Sequence, residues 1–92
     1  MPIFEWDESK RKSNLEKHGL DFRDAATVFE SFRLSAIDDR IDYGEQRIAS
    51  LGLLHDCVVF VVYTIRGDVI RLISMRRASK YETEIYFNEI PD

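Results

Sequence analysis

The chain has a single cysteine, Cys57, which excludes an internal disulfide and a cysteine-rich zinc site. Cys57 opens the apolar run Cys57-Val58-Val59-Phe60-Val61-Val62, where a thiol reads as a small buried hydrophobe in a reducing compartment. No segment approaches the roughly 20 apolar residues that a membrane-crossing helix needs. The opening Met1-Pro2-Ile3-Phe4-Glu5-Trp6-Asp7 has neither the basic start nor the apolar stretch of a secretory signal, so the expectation is a cytoplasmic protein. The two histidines, His18 and His55, lie far apart, and no His, Cys or carboxylate group has metal-ligand spacing. Asp38-Asp39 and Asp42-Glu45 read as a solvated loop. A glycine-rich phosphate loop and a nucleophile elbow are both missing, so neither metal nor cofactor is expected. Positive charge is also scarce: 13 Lys and Arg against 17 Asp and Glu give a net charge of −4. A phosphate-rich partner would have to be held locally, because such partners draw on positive charge.

What is present is enough for one domain spanning residues 1–92, with 45% apolar residues to form its core. The basic residues gather in two segments, Lys10, Arg11, Lys12, Lys17 and His18, then Arg66, Arg71, Arg76, Arg77 and Lys80. The acids collect in Asp38, Asp39, Asp42 and Glu45 and in Glu82, Glu84, Glu89 and Asp92. Asp7 as N-cap and Gly19 as stop predict a helix over Asp7–His18, with Phe4-Glu5-Trp6 before it as a possible short edge strand. Asp21 caps a second helix to about Ser31, in which Phe22, Ala25, Ala26 and Phe29 form an amphipathic stripe. The period then changes to two. Four strands are expected at about Arg33–Ile37, Gln46–Leu54, Cys57–Ile65 and Val69–Arg76, with turns at His55-Asp56 and Gly67-Asp68. A last helix follows over Ala78–Asn88. The expectation is an α+β fold, two N-terminal helices on a four-stranded antiparallel sheet with a C-terminal helix.

The two turns set a register. Arg66 should face Val69, Thr64 should face Arg71 and Arg47, Val61 should face Ser74 and Ser50, and Val59 should face Arg76. Alternation then gives one face Ala49, Leu51, Leu53, Val58, Phe60, Val62, Ile73 and Met75, the expected seat of the first two helices. The other face, with Ile48, Ser50, Gly52, Val59, Val61, Tyr63, Leu72, Ser74 and Arg76, is smaller and mixed, suited to a ligand or partner. Strict alternation separates Arg76 from Arg47 and Arg71; a single β-bulge would reunite them.

The arginines carry the chemistry. Arg71 and Arg76 punctuate an apolar strand, where a guanidinium costs desolvation unless it is paired. Either they make structural ion pairs, Arg71 with Glu45 and Arg76 with Glu82, or they hold phosphate through two-pronged contacts. Lys10, Asn14 and His18 align on one helix face with Lys17 beside them, as a solvated face or a track for a phosphate chain. Cutting RNA without a metal needs a base, an acid and cations around the crowded phosphorus. Glu45, His18 or Tyr63 could move protons; Arg47, Arg66, Arg76 and Lys10 could stabilise charge.

Phe4-Glu5-Trp6-Asp7 with Lys10, Asn14, Lys17-His18-Gly19 and Phe22 resembles the opening of the BrnT family of bacterial type II toxins. The resemblance runs on through Gly44-Glu45, Arg47, Gly52, Val62-Tyr63-Thr64, Arg66, Arg71, Ile73-Ser74, Arg76, Ala78, Glu82 and Tyr86, nearly the whole chain. It implies a RelE-like fold and a metal-independent endoribonuclease that arrests translation. It also implies a BrnA-type ribbon-helix-helix antitoxin, a toxin–antitoxin heterotetramer, and contact with operator DNA only through the antitoxin. With the residue reading it gives a catalytic set of Glu45, Arg47, Arg66 and Arg76. Lys10, Lys17, His18, Arg71 and Arg77 form the RNA-binding set, with Arg76 and Arg77 favoured for RNA and Arg71 paired to Glu45 as support. The other reading is a non-catalytic module, or a degenerate toxin, that only docks an acidic partner.

Overall fold

The computed structural model describes residues 2–40 and 42–91; Met1, Ile41 in the acidic loop and Asp92 in the acidic tail lie outside the described residues. Strand β1 (Ile3–Glu5) leads into helix α1 (Glu8–His18). Asp7 caps α1 by accepting from the Lys10 N–H at 3.2 Å. Gly19 ends it in the left-handed conformation, φ 70°, donating to the Leu15 carbonyl. The expected second helix is divided: a 3₁₀ turn, Phe22–Asp24, precedes α2, Ala25–Glu30. The Asp21 carboxylate accepts from the Arg23 N–H at 2.9 Å, two residues on, and this local bond tightens the first turn. Strands β2 (Leu34–Asp38), β3 (Arg47–Leu54), β4 (Cys57–Arg66) and β5 (Val69–Arg77) follow, then α3 (Lys80–Glu89).

Among the described residues the sheet has five strands, in the order β1-β5-β4-β3-β2, where four antiparallel strands were expected. β1 joins β5 in parallel, with Phe4 opposite Ile70 and Glu5 opposite Arg71, so the sheet is mixed. Three residues are too few to show a period, but Phe4 has a reason to be there: its ring meets Phe29 edge-on at 5.2 Å. Both expected turns form, with Gly67 at φ 61°. The pairs Arg66–Val69, Thr64–Arg71 and Ser50–Val61 stand as the turns require. Beyond Tyr63 the register slips by one. Tyr63 faces Leu72 and Val62 faces Ser74, leaving Ile73 as an extra residue in β5. Val61 therefore faces Met75, not Ser74, and Arg76 faces Phe60, not Val59.

The helices also choose the face opposite to the one expected. The main core joins Leu20, Phe22, Ala25 and Val28 to Leu54, Val59, Val61, Tyr63, Leu72 and Met75. α1 and α2 thus sit on the face that carries Ser50 and Gly52, here called the inner face. Alternation could not decide this, because β4 is apolar on both sides. Size decides it: a Cβ on Gly52 would meet Val28 Cγ1 at 2.7 Å, so only glycine lets α2 lie this close to β3. α3 packs on the outer face at the His55-Asp56 end, through the buried Tyr86 with Leu51 and Val58. The Tyr86 hydroxyl donates to the Phe32 carbonyl at 2.8 Å. The hairpin end of the outer face is left without a helix.

β1 pairs with only the first three residues of β5, so the outer edge of the rest of β5 needs another partner. Asn14 supplies it. Its amide donates to the Met75 carbonyl at 2.8 Å and its oxygen accepts from the Met75 N–H at 3.1 Å, while the same amide reaches the Leu20 carbonyl at 3.1 Å. Asn14 is therefore buried and serves the sheet, where the sequence placed it on a polar stripe with Lys10 and His18.

Replacing Asn14 with alanine strands the N–H and C=O of Met75 and should cost about 2–4 kcal/mol in urea unfolding. Gly52→Ala should cost about 1–3 kcal/mol by overpacking against Val28. A loss below 0.5 kcal/mol at either position, roughly the level of an ordinary surface change, would contradict the role given to it here.

Candidate functional site

The extra residue in β5 decides which side chains meet. Without it Arg76 would point inward; with it, Arg76 joins Arg71 on the outer face. Four rows cross this face before the Leu53–Val58 row that α3 covers. Arg66 stands nearest the hairpin, followed by Arg47, Thr64 and Arg71, then Ala49, Val62 and Ser74, then Leu51, Phe60 and Arg76. The Arg76 guanidinium lies 4.1 Å from the centre of the Phe60 ring, as their register pairing requires. The Thr64 and Phe60 rows are four residues apart on β4, about 13 Å by strand rise.

Each arginine has a different partner. Arg76 makes a two-pronged pair with Glu82, Nη1 to Oε1 at 2.8 Å and Nη2 to Oε2 at 3.0 Å. Glu82 also closes the capping box of α3: it accepts from the Ser79 N–H at 2.8 Å while the Ser79 hydroxyl accepts from the Glu82 N–H. The Arg76 guanidinium, helped by the Ser79 N–H and opposed by partial burial, holds the Glu82 carboxyl at about 2. The Arg76–Glu82 pair matches one of the two expected ion pairs. The other does not form: Arg71 lies 3.6 Å from Glu5, and Glu45 pairs with Arg66 at 3.1 Å. The pairing of the short first strand with β5, which the sequence did not specify, is the reason, because β1 sets Glu5 directly opposite Arg71. Arg47 lies over the Tyr43 ring at 3.7 Å. Arg77 turns to the inner face, where it donates to the Cys57 sulfur at 3.1 Å. Neighbours in a strand point to opposite faces, so Arg76 and Arg77 cannot form the single cluster that the sequence favoured.

A shallow cleft of about 260 Å³ runs along the edge of β5, between α1 and the bulge. Lys10, Ser13, Lys17 and His18 line it from the helix, and Ile73 and Ser74 from the strand. Three of the sequence-derived residues, Lys10, Lys17 and His18, thus share one groove, and Ser74 links it to the arginine face. Of the candidate proton carriers, His18 is in this groove and Glu45 is at the hairpin. Tyr63 is on the inner face, buried, with its hydroxyl bonded to Ser50 at 2.8 Å, and does not reach the arginines. Thr64 stands between Arg47 and Arg71 as the register predicts, but Glu5 and Ser74 were not singled out from sequence as members of the arginine face. Only the docking of β1 and the position of the bulge could have revealed them. No group of three or more His, Cys, Asp or Glu side chains placed to hold a metal ion occurs among the described residues. No helix among these residues is long and apolar enough to cross a membrane.

A family model described as the ribonuclease toxin, BrnT, of type II toxin–antitoxin systems matches residues 6–82. The match takes in every residue placed on the arginine face and in the cleft except Glu5. No curated protein matches the chain.

Glu82 has a folded value of about 2 against an ordinary 4.5, so its pairing stabilises the protein fully above about 4.5 and is lost as pH falls towards 2. Glu8, held at about 2 chiefly by Arg11, and Asp21, held at about 2 chiefly by Arg23, add to the same acid limb. Glu82→Gln can still accept the capping bond but has no proton to take up. Its stability, measured by urea unfolding at a series of pH values, should fall less steeply between pH 4.5 and 2 than that of the wild type. An identical slope would show that Arg76 does not hold this carboxylate in solution.

Proposed function

The chain belongs to the BrnT family of ribonuclease toxins of type II toxin–antitoxin systems, and from this premise we propose that its outer sheet face binds and cuts RNA by metal-independent chemistry. The observation that carries the reading is the bulge at Ile73. It spends one residue of β5 to gather Arg47, Arg71 and Arg76 on one face of a chain whose net charge is −4. Core packing alone has no use for three guanidiniums on one sheet face, two in one row and the third two rows on.

In this reading a base takes the proton of a ribose 2′-hydroxyl and the freed oxygen attacks the adjacent phosphorus. The 5′-oxygen then leaves with a proton from an acid, giving a 2′,3′-cyclic phosphate and a 5′-hydroxyl. Arg76, held over Phe60 by Glu82, stabilises the charge that grows on the phosphoryl oxygens. Arg47 and Arg66 extend the positive face. Lys10, Lys17 and His18 in the cleft and Arg71 on the sheet hold the strand. Of the candidate proton carriers, His18 shares the cleft with Ser74, one row from Arg76, and is favoured for that phosphate, whereas Glu45 is held by Arg66 at the hairpin, three rows away. Arg77, on the inner face, can serve only RNA that wraps past the Cys57 end.

The fold is read as RelE-like, and the partner as a BrnA-type ribbon-helix-helix antitoxin that joins the toxin in a cytoplasmic heterotetramer and alone touches operator DNA. One observation favours a second reading, a module that docks its antitoxin without cutting RNA: Arg66, Arg71 and Arg76 each already face a carboxylate in the free chain.

Expression of the chain alone should arrest bacterial growth, and Arg76→Ala should relieve the arrest. The purified chain should cleave RNA in the presence of EDTA, and Arg76→Ala should slow cleavage at least about 100-fold, as loss of a charge-stabilising donor does. A wild-type chain that is harmless, leaves RNA intact and still binds its antitoxin would establish the docking reading instead.

A further inference from the structure

On the outer face two buried polar atoms have no hydrogen-bond partner, Thr64 Oγ1 and Arg47 Nε. Buried polar groups in folded proteins are almost always bonded, because an unmade bond leaves the desolvation of the group uncompensated. Thr64 is only 2% exposed, although no helix packs above it. Its strand partner is Arg71 on one side, and Arg47 flanks it on the other, one step beyond the Ile48–Tyr63 pair. The row thus presents two guanidiniums with a hydroxyl between them. Two carboxylates end the row: Asp38, the strand partner of Arg47, is taken up by Arg40 at 2.7 Å, whereas Glu5 is 3.6 Å from Arg71 and partly exposed. A row rich in donors, with a loosely held carboxylate at its end, is matched by an anion.

We propose that Arg47, Thr64 and Arg71 form a phosphate subsite for the RNA strand, entered as Arg71 leaves Glu5, with the Thr64 hydroxyl donating to a phosphate oxygen. This rests on the RNA-cleaving reading and deepens it. The Arg76 row is about 13 Å away by strand rise, so the subsite holds a phosphate flanking the one at Arg76 and fixes how the strand lies along the sheet.

Thr64→Val keeps the β-branched shape and removes only the hydroxyl. Its melting temperature should equal or exceed that of the wild type, because no bond within the protein is lost. Affinity for a 2′-O-methyl RNA oligonucleotide, which cannot be cut, should fall about tenfold, the usual weight of a hydrogen bond to a charged group. Thr64→Ser should retain that affinity. Arg71→Gln should lower the slope of log affinity against log salt by about one, and Thr64→Val should leave the slope unchanged. A Thr64→Val protein that binds as tightly as the wild type overturns the subsite and leaves the RNA reading standing. One that melts well below the wild type overturns it too, by showing that the hydroxyl is bonded inside the fold. A wild-type chain without affinity for the oligonucleotide overturns both.

Discussion

The bond pair between the Asn14 side chain and the backbone of Met75 is the constraint on which the rest of the structure hangs. It acts where β5 has just gained an extra residue and has lost β1 as a neighbour. An amide side chain offers one donor and one acceptor in the spacing of a peptide group, so Asn14 stands in for one residue of a missing strand. This fixes the height of α1 along the sheet. The same contact therefore decides that Lys10, Lys17 and His18 open onto Ser74, and that the two basic segments of the sequence adjoin across one strand edge. Burying an asparagine is expensive unless all its bonds are made; here the amide bonds two carbonyls and the oxygen bonds an N–H.

Much of the fold could be read from residues with strong local rules. Asp7 and Gly19 mark the ends of α1, Gly67-Asp68 fixes the last hairpin, and the register follows as far as Tyr63. The ordered residues from Phe4 to Tyr86 also carried the family, which the match over residues 6–82 bears out. What failed, failed for physical reasons. Alternation separates two faces but cannot say which is inside when Val58, Phe60 and Val62 are as apolar as Val59 and Val61. Ser50 and Gly52 looked like an open surface; Gly52 is instead the room that α2 needs, and Ser50 is buried with its hydroxyl bonded to Ser35 and Tyr63. β1 could be read only as a possible edge strand with no stated partner, and without its pairing to β5 the carboxylate of Arg71 was misassigned. Ile73 looks like any strand residue, so the bulge, and with it the company of Arg76, was legible only as a condition.

The arginine face shows how a chain with net charge −4 can keep a basic surface. Glu5, Glu45 and Glu82 each stand beside one guanidinium and none stands in the middle of a row. They neutralise the face seen from afar while leaving donors directed outward at close range. Such pairs contribute little to stability at this exposure. Their larger effect is to hold long side chains in place, and the Arg76 pair, with two bonds and an aromatic ring beneath, is the best held.

That pair has a consequence for heredity. One carboxylate, Glu82, both starts α3 and seats Arg76, and the same carboxylate depends on Ser79. A change at Ser79 keeps the backbone N–H that meets the carboxylate but removes the hydroxyl that caps the Glu82 N–H, loosening the turn that carries Glu82 to Arg76. The three positions form a single unit of variation, in which a mutation at the helix start is felt at the strand, and drift at an outwardly ordinary serine is held back by an arginine that shares its carboxylate oxygen.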